Sequence, residues 1–177
     1  MPGLGLLIFQ DGHERLAHFA GRRRIKENLG FDRDTLVRIY SMTKPITSAA
    51  IMQFVERGQL TLATPLDQIL PAFKDMKSLK LNAKTLAEVE LSRPPTIHQL
   101  LVHTAGFSSS FNEGLVPREM VKKRLSFGPK TGGLEGVVDK LADLPLVFQP
   151  GTRWEYGVGI DVAGRVIEVL SGQSLED

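Results

Sequence analysis

Ser41 and Lys44 are spaced for nucleophilic chemistry, in the quartet Ser41-Met42-Thr43-Lys44. Residues i and i+3 share a helix face, so the lysine stem can reach the hydroxyl. At a helix N-terminus, unpaired N–H groups and the macrodipole favour a developing serine alkoxide. The same field, together with burial, disfavours a protonated lysine, which could then accept the serine proton. The quartet alone is unspecific, since about one chance match is expected in a chain of this length. Ser41 reads equally well as an ordinary helix N-cap.

The element that must position the pair is a helix over 41–57. Pro45 is tolerated in a first turn, and Gly58 suits a C-cap. Ile46, Ala50 and Phe54 follow i, i+4 spacing, and Ala49, Ile51, Met52 and Val55 widen the apolar surface nearly all round. That pattern predicts burial in the centre of a domain. No other charge stands in the helix before Glu56, so a lysine in its first turn is poorly explained as a surface residue.

Upstream, Leu4 to Phe9 and Glu14 to Ala20 read as two strands joined at Gln10-Asp11-Gly12, with the second closing at Gly21. Arg22-Arg23-Arg24-Ile25-Lys26 reads as a solvated loop or strand end. Downstream, 71–95 is polar and loop-like, and Thr96 caps a short helix through Leu101. The stretch 108–133 is mixed and glycine-containing. A helix is predicted over about 134–144, a turn at Gln149-Pro150-Gly151, and a last helix from Asp161 to Leu170. No internal repeat or low-complexity segment interrupts this order.

Composition removes several function classes. Net charge is +2 and charged residues make up 24%, which gives no electrostatic reason for a nucleic-acid partner. The chain has no cysteine, so disulfides and thiolate metal sites are excluded. His98 and His103 stand five apart and do not share a helix face, so no metal site is expected, and His103 is expected to fix the loop after its helix; no cofactor is expected either, because Ser/Lys chemistry needs no metal. The opening apolar run is too short for a secretory signal or a span, and no later stretch is long enough for a membrane helix. The expectation is a cytoplasmic protein with no membrane partner. There is no G-x-S-x-G, which argues against an α/β-hydrolase.

Beyond these features, four strings resemble one family in their expected order. Arg38-Ile39-Tyr40-Ser41-Met42-Thr43-Lys44-Pro45-Ile46-Thr47 is similar to the nucleophile segment of serine β-lactamase-like proteins. These include class C β-lactamases, D-alanyl-D-alanine carboxypeptidases and family VIII carboxylesterases. Gly58-Gln59-Leu60-Thr61-Leu62 with Pro65-Leu66-Asp67 resembles the continuation, and Thr96 to Gly106 resembles the family's T-I-x-x-L-L-x-H-T-S-G stretch. Pro150-Gly151-Thr152-Arg153-Trp154-Glu155-Tyr156 resembles the segment that carries the second catalytic motif.

The resemblance implies an α+β, β-lactamase-like fold: an antiparallel sheet flanked by helices, plus a mostly helical region. It implies Ser41 as nucleophile, Lys44 as proton acceptor and Tyr156 as the group that shuttles or holds the proton. A tyrosine with a pKa near 10 becomes a useful base only beside a cation such as Lys44, and the two would titrate together. Within 1–177 the implied parts are a hairpin and connector (1–40), a nucleophile helix (41–58) and a mostly helical region (59–177). The family's later strands, its K-T-G motif and one oxyanion donor are expected to lie beyond the tyrosine, which makes this a truncated, partial domain. Loss of such a donor typically lowers rate by about 100- to 1,000-fold. Lys130-Thr131-Gly132 spells K-T-G but precedes the tyrosine, and is read as coincidence.

One departure bears on substrate. Class C β-lactamases carry Tyr-x-Asn, whereas this chain has Tyr156-Gly157-Val158. Valine cannot bind a substrate amide, a loss of about 1–3 kcal/mol of recognition. The expected activity is therefore that of a carboxylesterase on small esters, through an acyl-enzyme. A β-lactamase or D,D-peptidase, acting on a β-lactam-like small molecule, is the alternative. A catalytically inactive remnant that binds through the inherited cleft is the third reading. A basic module built on 22–24 and 122–124 ranks last.

Overall fold

The computed structural model describes residues 2–125 and 132–175, so Lys130 and Thr131 of the K-T-G string lie outside the described residues. The chain divides into two compact units, Met1–Ser41 and Met42–Asp177. The class is α+β with antiparallel sheets.

The first unit is a three-stranded sheet in the order β1-β2-β3: Gly3–Gln10, His13–Arg24 and Leu29–Gly30. Gln10 pairs with His13 across the two-residue loop Asp11-Gly12. Both loop residues have positive φ, 53° and 76°, which is why an Asp-Gly pair sits there. β2 runs four residues past its expected end, because Arg22 and Arg24 pair with Gly30 and Leu29 of β3. The arginine run is partly neutralised locally, with Arg24 ion-paired to Glu27 at 3.0 Å. Leu4, Leu6, Leu7, Ile8 and Phe9 of β1 are 43–60% exposed.

The second unit holds five helices among the described residues: α1 Thr43–Glu56, α2 Ile97–Leu101, α3 Leu115–Lys122, α4 Gly133–Ala142 and α5 Gly159–Ser171. α5 packs against α1, α2 and α4. Its Val162, Ala163 and Val166 are fully buried with Ile51, Leu66, Phe73, Ile97 and Leu100. Phe73 meets Phe107 edge to face at 5.7 Å.

Three expectations about this unit change. α1 is not buried on most faces: Thr47, Ile51 and Phe54 form one buried stripe, while Ile46 is 62% exposed. Its apolar residues are spread round the helix, and only part of them, that stripe with Val55 beside it, packs into the core. The supposed loop 71–95 contains an antiparallel pair, β4 Lys77–Leu79 and β5 Val89–Leu91. Leu146 extends it, donating to Lys77 O and accepting from Leu79 N at 2.8 Å each. α3 lies inside the stretch read as mixed. Its Val116, Pro117 and Met120 are buried on one face, but eight residues with Pro117 among them give too short a period to recognise.

The capping reading of Thr96 holds. Its side chain accepts from Gln99 N, and Gln99 Oε1 accepts from Thr96 N at 3.0 Å, forming a capping box. Thr96→Ala is expected to lower unfolding free energy by about 1 kcal/mol in urea titrations. Phe73→Ala, which empties a fully buried site, should lower it by about 3–5 kcal/mol.

Candidate active site

Ser41 lies on the 3-10 turn Tyr40–Met42 that runs directly into α1. The N-cap of α1 falls on Met42, which makes no side-chain cap hydrogen bond, so Ser41 is not the helix's N-cap. Tyr40, just before it, has φ 47°, a left-handed conformation uncommon for a bulky residue. Lys44 occupies the first turn of α1 and is partly buried.

Tyr156 reaches Lys44 from the opposite end of the second unit's sequence. The path is set by backbone. Segment 147–158 runs beside 103–108: Val147 N donates to Gly106 O, Gly151 N to Thr104 O, Glu155 N to His103 O and Val158 N to Ser108 O, at 2.7–3.1 Å. Gly157 must be glycine, since a Cβ there would stand 2.2 Å from Phe107 O. The result places Lys44 Nζ 4.8 Å from the centroid of the Tyr156 ring. Two of the three residues singled out by sequence are thus brought together, and the third precedes Lys44 by three positions.

His103 completes the cluster. It stands two residues past α2 in a left-handed conformation, φ 59°, and its ring lies 4.8 Å from that of Tyr156 and 6.1 Å from that of Trp154. Its Nδ1 accepts from Gly157 N at 3.4 Å, which assigns the proton to Nε2. It does fix the loop after its helix. Burial pushes the imidazole below its ordinary value, and the charge of Lys44 pushes it the same way.

The sequence reading missed Asp161, in the first turn of α5. Crowding by protein raises its carboxyl above the ordinary value, while Lys44 acts to lower it. Its surface is nonetheless open to solvent on one side. An acid in a first helical turn was the available signal, but that placement is common for dipole reasons alone. Also missed was a polar cluster behind Tyr156. Ser108 Oγ donates to Glu155 Oε1. Asn112 Nδ2 stands 2.8 Å from Tyr156 O, 3.1 Å from Glu155 Oε1 and 3.2 Å from Ser108 Oγ. An open cleft of about 540 Å³ lies beyond Glu155, lined also by Arg153, Phe148 and Glu113, and contains neither Lys44 nor Tyr156.

The profile of the beta-lactamase family matches residues 1–177. The chain belongs to the beta-lactamase family. It is 36% identical over 146 residues to esterase EstB of Burkholderia gladioli, covering 80% of this chain and 34% of that protein. It is 30% identical over 180 residues to penicillin-binding protein 4 of Amycolatopsis lactamdurans, covering 100% and 40%. Among solved structures, EstCE1, described as a hydrolase with promiscuous acyltransferase activity, superposes with a TM-score of 0.79 at 27% identity, covering 98% of this chain and 43% of that one. The chain spans 32–43% of the length of the curated relatives it matches. Among the described residues, no helix is long and apolar enough to cross a membrane.

The lowered value of His103 has a consequence for stability. Below 6.5, its ordinary value, the unfolded chain takes up the proton before the folded one does. The stabilising contribution is therefore complete above 6.5 and is lost as pH falls through the lower folded value. Thermal midpoints are expected to decline across that window in the native chain. His103→Asn, which tolerates the left-handed backbone, should flatten the decline.

Proposed function

We propose that the chain carries the catalytic front of a serine hydrolase acting on small carboxylic esters through an acyl-enzyme. The observation that carries the reading is the Lys44 ammonium set against the Tyr156 ring. A cation in that position favours a phenolate. Ser41 then loses its Oγ proton to the Tyr156/Lys44 pair as Oγ bonds to the ester carbonyl carbon. The carbonyl–alkoxy bond breaks, and the departing alcohol takes that proton back. Water, deprotonated by the same pair, attacks the acyl-enzyme, releasing the acid and restoring Ser41. No metal or cofactor enters this sequence of steps.

Ester preference rests on Val158, which offers no hydrogen bond to a substrate amide, and on similarity to EstB. A penicillin-binding relative that matches the whole chain keeps β-lactam or peptide substrates as the second reading. We place the protein in solution, with a small molecule as its partner.

The test is the intact mass of the chain after exposure to a fluorophosphonate, beside Ser41→Ala. One adduct, absent from Ser41→Ala, is the expected result. Lys44→Met and Tyr156→Phe should slow labelling by about 100- to 10,000-fold. Turnover of a short-chain nitrophenyl ester should exceed that of a chromogenic cephalosporin. Absence of the adduct on a chain that melts cooperatively would overturn the reading, and cephalosporin turnover equal to ester turnover would overturn the ester preference.

A further inference from the structure

The polar cluster behind Tyr156 has no part in the steps above, yet it is built. Ser108 is 2% exposed, and its hydroxyl is committed to Glu155. Asn112 has two N–H donors on one nitrogen and three acceptors around it: Tyr156 O, Glu155 Oε1 and Ser108 Oγ. The shortest contact, 2.8 Å, is to the carbonyl of Tyr156 itself. Asn112 lies 44 residues from Tyr156 in sequence, on the short connection between Ser109 and α3. That connection is tied down in turn, since Asn112 N donates to Ser109 O at 3.0 Å.

What this cluster fixes is the height of the tyrosine. Main-chain bonds hold 155 and 158 to the neighbouring segment, and Gly157 is pressed against Phe107 O. Between them the Tyr156 carbonyl accepts from Asn112. A rotated 156 peptide would swing the phenol away from α1, and the ring must stand where Lys44 Nζ can lie over it. A charged acceptor strengthens the anchor, because hydrogen bonds to a carboxylate are roughly twice as strong as neutral ones.

We propose that Asn112, anchored by Glu155, is a positioning residue that sets Tyr156 against Lys44. The proposal rests on the reading of Tyr156 and Lys44 as the proton-transferring pair. Asn112 touches neither the phenol oxygen nor the ammonium in this arrangement, so it acts through the 156 peptide. The other titratable groups near the pair are His103, on the loop after α2, and Asp161, on α5.

Tyr40 and Tyr156 are the two tyrosines of the chain, so Tyr40→Phe leaves Tyr156 as the sole phenol. Its ionisation can then be followed by near-ultraviolet phenolate absorbance, a readout that does not depend on turnover. In this background Lys44→Met is expected to raise the titration midpoint by about one unit or more. With Asn112→Ala present, the same Lys44→Met change should raise it by less than about half as much. Glu155→Gln, which keeps an oxygen acceptor in place, should retain most of the Lys44 effect. An equal Lys44 effect with and without Asn112, in proteins that melt cooperatively, would falsify the positioning role and leave the Lys44–Tyr156 reading intact. No Lys44 effect even with Asn112 present would overturn that reading, and the positioning role with it. If Asn112→Ala does not fold, Asn112→Ser serves as the smaller polar replacement, judged by the same comparison.

Discussion

Four main-chain hydrogen bonds between residues 103–108 and 147–158 hold the site together. They join two irregular segments more than forty residues apart, and neither segment would keep its shape alone. Backbone groups in partly buried segments need such partners. On this ladder hang Tyr156, His103 and Trp154, and it delivers the chain into α5 through Val158. α1 supplies Lys44 from the other side, through its own packing against α5. The cluster thus depends on one helix, α5, whose buried face fixes both approaches.

The ladder is stable because of what lies beneath it. Ala105, Phe107, Leu146 and Phe148 alternate into the core, and Phe73 meets Phe107 there edge to face. Bulky apolar residues beneath a polar, half-open surface give a rigid floor with side chains free to titrate above it. His103 shows the compromise: its backbone is strained into left-handed space, and its ring is partly desolvated beside a cation. Such strain is commonly retained where surrounding contacts over-determine the conformation.

Legibility followed physical range. The hairpin, α1, α2, α4 and α5 were readable because their signals are local: alternation, a glycine turn, a threonine cap, a helical period. The family strings marked Ser41, Lys44 and Tyr156, and the Lys44–Tyr156 approach is what the structure then places at 4.8 Å. β4 and β5 were missed because three-residue strands stabilised by Leu146 carry no local period. Asn112, Ser108 and Glu155 were missed for a sharper reason. Each is an ordinary polar residue in a loop, and their meaning lies in contacts 43–47 residues apart. The single-faced burial of α1 was missed because composition counts apolar positions without saying which of them find partners.

Gly157 carries a consequence for how this surface can diversify. Its missing side chain is where two strands of backbone touch, so the position is closed to all other residues while the ladder stands. Val158 is half-buried against the core, and Glu155 is bound behind. Trp154, 65% exposed, is the nearby side chain of the segment that projects outward. A lineage exploring new substrates here is therefore shut out of residue 157 while the ladder stands, and has to work through the side chains on either side of it, such as those at 154 and 158.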